Sequence, residues 1–216
     1  EDLMRSFSLS DNSIYSIYKD YEGGIWIGTM FGGVNYLPNR ILTFAKYVPG
    51  SDPYSLNTKR IRGLAEDNNG CIWIGTEDNG VNVLDPRTGK VHQIYDNVPG
   101  RLITLSVKHY ENHIYVGLFK QGMNDISIPG EHLKYVSDKD LGIEEGSVYS
   151  FLKDSKGRTW IGPGWGLYVS QSKERKFHRV EEVGYNWVFD IMEARDGTIW
   201  LATMGNGVWK CDPKNN

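Results

Sequence analysis

One phrase is written repeatedly along this chain. Residues 20–37 read DYEGGIWIGTMFGGVNYL, residues 67–84 read DNNGCIWIGTEDNGVNVL, and residues 154–169 read DSKGRTWIGPGWGLYV. Aligned on the apolar run, five copies centre on Trp26, Trp73, Tyr115, Trp160 and Trp200, spaced by 47, 42, 45 and 40 residues. A second marker, the glycine that opens the next strand, keeps the same phase at Gly33, Gly80, Gly122, Gly166 and Gly207. Such a repeat constrains the fold more than composition can. One unit cannot bury its own apolar face, so it must stack on its neighbours.

Inside each repeat the residues read as strands. A first strand is expected at 14–19, 61–66, 103–108, 148–153 and 188–193. Its leading part is apolar or small on both faces, as suits a strand sandwiched between neighbouring sheets. A compact residue often holds its third place (Ser16, Gly63, Ser150), with Leu105 and Asp190 as departures. A glycine-containing turn leads to the second strand, IWIGT, IWIGT, IYVGL, TWIGP or IWLAT, and a short loop leads to the third, VNYL, VNVL, MNDI, LYVS or VWKC. A weaker fourth is expected at FAKYV, HQIY, LKYV and FHRV. Four strands in a period of forty-odd residues describe a propeller blade. The expected fold is therefore an all-β β-propeller of about five four-stranded antiparallel blades, read as one domain over 1–216. The blades run approximately over 11–55, 56–99, 100–143, 144–183 and 184–216, with 1–10 an orphan outer strand. Because the sequence starts late in one blade and ends early in another, either the first strand completes the last blade or these blades belong to a larger ring.

The repeated polar residues read as scaffold. Asp20, Asp67 and Asp154 each stand three residues before a turn glycine, where a carboxylate can accept backbone N–H groups. The tryptophan of each repeat is available to fill the wedge between blades. Catalytic residues are not normally written four or five times.

Composition agrees with this reading and excludes others. Aromatic residues make up 12% of the chain and there are 25 glycines, which favours short strands and tight turns over helices. A net charge of −3 does not suit a general nucleic-acid binder. No run of residues is apolar and long enough to be a membrane helix. Cys71 and Cys211 fall in different phases of the repeat, so no bridge between them is expected. His109 and His113 have an H-x-x-x-H spacing, but on a strand–turn–strand, where the i, i+4 geometry of a zinc helix fails. No metal or cofactor is expected.

The phrase D-x-x-G-x-(I/T)-W-I-G-T followed by G-(V/L) resembles the two-component regulator propeller repeat of hybrid histidine kinases from gut Bacteroides. The likeness is close at Asp20–Val34, Asp67–Val81 and Asp154–Leu167, moderate at Gly197–Val208, and weak at 109–123, where His109 and Tyr115 replace Asp and Trp. The resemblance implies a periplasmic sensor region that recognises breakdown products of complex polysaccharides and signals through dimerisation. It also implies a membrane anchor and a kinase in other segments of the intact protein, with no enzymatic activity in this region. It supplies no fixed ligand motif.

Ligand-binding candidates come from the loops that vary while the frame repeats. Loops after strands two and four emerge on one face, which places Phe31, Asp78, Asn79, Gln121, Trp165 and Asn206 there, with Arg60 and Tyr185 from the fourth-to-first connections and Arg62 at the start of an inner strand. Trp165 sits on a short hairpin between Gly164 and Gly166; its ring serves either to stack on the C–H face of a sugar or to pack. Arg60 and Arg62 are either a grip for sulfate or carboxylate, or exposed surface charge. Two other functions compete with a glycan sensor. A protein-interaction platform without a small ligand has the same sequence features. A propeller glycosidase or lyase needs converging acids, whereas Asp190 is the one odd carboxylate on an inner strand.

Overall fold

The computed structural model describes residues 9–39, 45–94, 103–171 and 176–211. The chain divides into two compact units, residues 1–46 and 47–216. The orphan strand expected at 1–10 falls almost wholly outside the described residues.

The first unit holds one antiparallel sheet, β1 (Ile14–Lys19), β2 (Ile25–Thr29) and β3 (Val34–Leu37), in that order. The fourth strand expected at FAKYV is not formed by its described residues, 45–48. Beyond Lys46 the backbone is committed elsewhere. The Leu56 N–H donates to the Val48 carbonyl (3.1 Å) and the Gly50 N–H to Leu56 (3.2 Å), closing a loop that belongs to the second unit.

The second unit holds four sheets, each ordered by sequence. Blade 2 is β4 (Ile61–Glu66), β5 (Ile72–Thr76), β6 (Val81–Leu84) and β7 (Val91–Ile94). Blade 3 is β8 (Thr104–Tyr110), β9 (His113–Leu118), β10 (Met123–Ser127) and β11 (His132–Val136). Blade 4 is β12 (Ser150–Lys153), β13 (Thr159–Gly162), β14 (Tyr168–Ser170) and β15 (His178–Arg179). Blade 5 is β16 (Val188–Glu193), β17 (Ile199–Thr203) and β18 (Val208–Cys211). The architecture is all-β, with two short helical turns the repeat pattern did not foretell. They are α1 (Asp138–Leu141), capped by Ser137 and ended by Gly142, and a 3-10 turn at Glu181–Val183.

The Asp-to-Trp spacing has a firmer cause than turn chemistry alone. Asp67 Oδ1 accepts the N–H groups of Asn69 (2.8 Å) and Cys71 (3.0 Å), while its Oδ2 accepts the Trp73 indole N–H at 2.9 Å. Asp154 does the same for Lys156, Arg158 and Trp160, and Asp20 for Glu22, Gly24 and Trp26. One carboxylate thus fixes the turn and aims the ring six residues on. Gly70 (φ 79°) and Gly157 (φ 76°) take the left-handed place in these turns, where a side chain is strained. Burial alone would raise the Asp154 carboxyl, but the Trp160 indole and Arg158 hold it below its usual 3.8.

Two of the aimed rings fill wedges between neighbouring sheets. Trp73, fully buried, packs with Val81, Val107 and Val116 between blades 2 and 3. Trp160 packs with Leu167, Ile191 and Leu201 between blades 4 and 5. The wedge between blades 3 and 4 is filled by Phe151, Ile161, Val148 and Leu141.

The compact residue of the first strand also ties blades together. Ser106 Oγ donates to the Val148 carbonyl (3.0 Å), and Ser150 Oγ to the Val188 carbonyl (2.9 Å). Opposite them stand Gly117 and Gly162, the glycines of the repeated phrase. A Cβ on Gly162 would lie 2.6 Å from the Val188 carbonyl, and one on Gly117 would collide with that of Val148. The glycine is therefore required by the close approach of the next blade. In blade 3 the residue in this place is Ser106, not the expected Leu105. The turn of blade 3 is one residue shorter, so Ser106 stands nine residues before Tyr115 where Gly63 and Ser150 stand ten before Trp73 and Trp160; its β-bulge at Leu105 matches those at Tyr15, Arg62 and Phe189.

Candidate functional site

The bulges place one residue of each inner strand apart from the ladder, and in the second unit these are Arg62, Leu105 and Phe189, with Tyr149 just before β12. Arg60, Ile103 and Trp187 precede them by two residues. Together they surround the starts of the inner strands. A cleft of about 530 Å³ opens there, lined among others by Arg60, Arg62, Glu77, Asp78, Phe119 and Tyr149.

One wall is charged. Arg60 Nη2 donates to Asp78 at 2.6 Å, and Arg62 Nη2 to Glu77 at 3.0 Å. Each guanidinium therefore pairs with an acid on the β5–β6 hairpin, and the Arg60 contact holds the Asp78 carboxyl below its usual value. A guanidinium has five N–H donors, so one carboxylate leaves further donors on each side chain. Asn79 belongs to the frame of this hairpin: its N–H donates to Thr76 Oγ1 (3.1 Å) and its carbonyl accepts from Asn57 Nδ2 (2.6 Å).

The other wall is aromatic and runs on from the first. Tyr149 stacks with Trp187 (centroids 5.6 Å, 26°) and meets Phe189 edge-on at 5.4 Å. Trp187 meets Trp165 at 6.0 Å, and Trp165 meets Tyr185 at 6.3 Å, both edge to face. The Arg179 guanidinium lies 4.2 Å over the Tyr185 ring, and Trp165 and Tyr185 are exposed. Asn206 donates to Asn186 Oδ1 and so joins the loops flanking this group.

The structure thus brings Arg60, Arg62 and Asp78 to one wall and Trp165 and Tyr185 to the continuation of the other. Gln121 is half-buried in the β9–β10 loop and does not line the cleft. Phe31 belongs to the first unit, where its N–H donates to Asp11 (2.8 Å) and its ring is 83% exposed. Tyr149, Trp187 and Phe189 were missed from the sequence. The signal was there: they occupy the bulge place and the place two before it, which change from repeat to repeat. The odd acid Asp190 forms an ion pair with Lys108 at 3.2 Å. His109 and His113 diverge, to the Glu111 carbonyl and to Asp125 respectively, and no cluster of metal-ligand residues occurs among the described residues.

Comparisons with known proteins agree with this fold. The family model "Two component regulator propeller" matches residues 8–31, 55–78 and 183–205. The extracellular domain of a protein described as the hybrid two component system BT3049 of B. thetaiotaomicron is similar over the whole chain, at 24% identity and a TM-score of 0.68. The extracellular domain of BT4673 from the same organism matches 94% of the chain at 18% identity and a TM-score of 0.62. PorZ, a surface component of the type-IX secretion system of Porphyromonas gingivalis, matches 93% at 16% identity and a TM-score of 0.56. The chain spans 29%, 26% and 32% of the lengths of these three structures. No curated protein sequence matches it. Among the described residues no helix is long and apolar enough to cross a membrane. The three matched segments fall on the sheet of the first unit and on blades 2 and 5, and the first two carry the Asp–Trp pair described above, so in these segments the chain is similar to two component regulator propeller repeats.

Proposed function

We propose that this region is the periplasmic sensor part of a hybrid two-component histidine kinase, binding a polysaccharide-derived ligand and relaying the signal through dimerisation. The observation that carries the reading is the continuous run from Arg60 and Arg62 through Tyr149 to Trp187 and Trp165. It lies on the face where the repeat keeps its frame and varies its loops. Aromatic faces suit the C–H surfaces of a pyranose ring, and fixed guanidinium donors suit its hydroxyl, carboxylate or sulfate oxygens. Nothing in the cleft resembles a glycosidase pair of carboxylic acids, because its acids, Asp78 and Glu77, are each engaged by an arginine.

The test is a thermal melt of the 216-residue chain against neutral, uronic and sulfated oligosaccharides, repeated with Trp187→Ala and Arg62→Ala. A ligand that binds only the folded state adds about 2.7 kcal/mol of stability at a hundredfold excess over its dissociation constant. The expected result is a raised midpoint with one glycan class, lost in both variants. A midpoint unmoved by every sugar would overturn the glycan reading and leave the exposed rings of Trp165 and Tyr185 as a surface for docking a protein.

A further inference from the structure

The three wedges between blades of the second unit are built on one register but not from one set of residues. In blade 2 the ring of Trp73 is flanked across the sheet by Ala65 and Val83, and in blade 4 that of Trp160 by Leu152 and Val169. Both tryptophans are buried and tied to an aspartate. In blade 3 the same place holds Tyr115, flanked by Lys108 and Asp125, and by register the aspartate's place holds Tyr110, paired with His113. Tyr115 leans onto Phe151 of the next blade, centroids 4.7 Å apart and 18° from parallel. Beside it lies a cleft of about 630 Å³ between the faces of blades 3 and 4.

The geometry points to this groove as a second ligand site, separate from the cleft at the inner strands, for a small neutral polyhydroxylated ring of the pyranose class. The volume suits a single sugar ring with room for a substituent. Tyr115 and Phe177, both half-buried, supply apolar surface, and Phe151, buried and stacked on Tyr115, backs it. Asp125, Asp140, Lys134 and Lys153 line it, two acids against two amines, so the lining carries acceptors and donors and no excess of either charge. Such a lining hydrogen-bonds hydroxyls and offers no surplus counter-charge to a strongly charged ligand. Asp125 is held by His113 at 2.6 Å and Lys153 by Glu111 at 3.0 Å, so both are positioned before any ligand arrives. Burial, then Asp125 and Glu111, push the Tyr115 phenol up to about 12; at neutral pH its hydroxyl is both donor and acceptor, as any tyrosine's is.

The repeat itself provides the test. The double variant Tyr110→Asp/Tyr115→Trp writes into blade 3, at the matching register, the pair that fills the other two wedges. Saturation-transfer NMR on the 216-residue chain would use methyl pyranosides of the gluco, galacto and manno series as probes. The expected result is transfer to at least one of them, lost in the double variant and kept in Trp165→Ala. Should the double variant fold poorly, Asp125→Asn keeps the volume and removes one charge; it is expected to weaken binding about tenfold or more. Transfer to none of the sugars, or transfer that survives in both groove variants, overturns the groove. Transfer lost with Trp165→Ala alone also overturns it, and at the same time supports the site at the inner strands.

Discussion

The sheet of the first unit, blade 1, and blade 2 contain the same five residues, IWIGT, at 25–29 and 72–76, followed by VNYL and VNVL. Their local structure is the same to the detail of the aspartate that holds the tryptophan indole. Their burial is opposite. Trp73 is fully buried while Trp26 is 41% exposed, and β6 is buried throughout while β3 is largely exposed. Around Trp73 stand Val107, Ile114 and Val116 of the next blade; Trp26 has as its ring neighbour Tyr36 of its own sheet, at 4.4 Å. The sequence of a blade therefore fixes its hairpins and ring directions, and the sheet opposite decides how much hydrophobic free energy they release.

The sharpest way to break that comparison is to truncate both rings. Trp73→Ala removes a packed wedge and is expected to cost about 3–5 kcal/mol, whereas Trp26→Ala should cost about 1 kcal/mol or less. Urea unfolding followed by circular dichroism measures both, and equal losses would mean that the shared phrase, not its neighbour, sets the stability.

The carboxylates give the next contrast. Asp154→Ala leaves the Trp160 indole and the Arg158 guanidinium without their partner in a buried place, at an expected cost of about 3 kcal/mol. The equivalent change at Asp20, whose partner Trp26 is exposed, is expected to cost far less. Acid titration sharpens the point. The folded-state carboxyl of Asp154 lies below its unfolded value, so its contribution is complete above the usual 3.8 and is lost as pH falls through the lower folded value. Melting points taken from pH 5 downward should drop in that window, and Asp154→Asn should flatten the drop. An unchanged profile in that variant would place the acid sensitivity elsewhere.

The smallest effect tests the tie between blades. Ser150→Ala removes one side-chain hydrogen bond to the Val188 carbonyl and is expected to cost about 1 kcal/mol. Gly63 occupies the same place in blade 2 without a hydroxyl, so Gly63→Ser asks whether a tie can be added. The backbone N–H of Val107 would lie 2.8 Å from a new Cβ there, and a loss of stability is the expected outcome.

Much of the fold could be read from the chain before any coordinates. β1, β2, β3, β4, β5, β6, β16, β17 and β18 stand where the repeat places them, since a two-residue alternation and a glycine turn are local properties. Fourth strands were harder, because an outer strand is short and polar and its pairing competes with nearby loops, as Val48 shows. The shift of one residue in β8 comes from a turn one residue shorter in blade 3, where the repeated phrase is weakest and its Asp-x-x-Gly marker is missing. For the candidate site, loop variation pointed to Arg60, Arg62, Asp78, Trp165 and Tyr185, but not to the aromatic wall that joins them.

What the sequence determined by itself is everything that acts within a blade: the period, the turns, the aspartate-to-indole bond six residues on, and the alternation that makes a strand. These depend on residues a few places apart, whose geometry the backbone alone dictates. Only the tertiary structure decided that Ser106 and Ser150 reach into the next blade, that Trp73 is buried and Trp26 is not, and that Tyr149, Trp187 and Trp165 meet. Those contacts join residues tens of positions apart, and their energies come from surfaces that exist only once two sheets face each other.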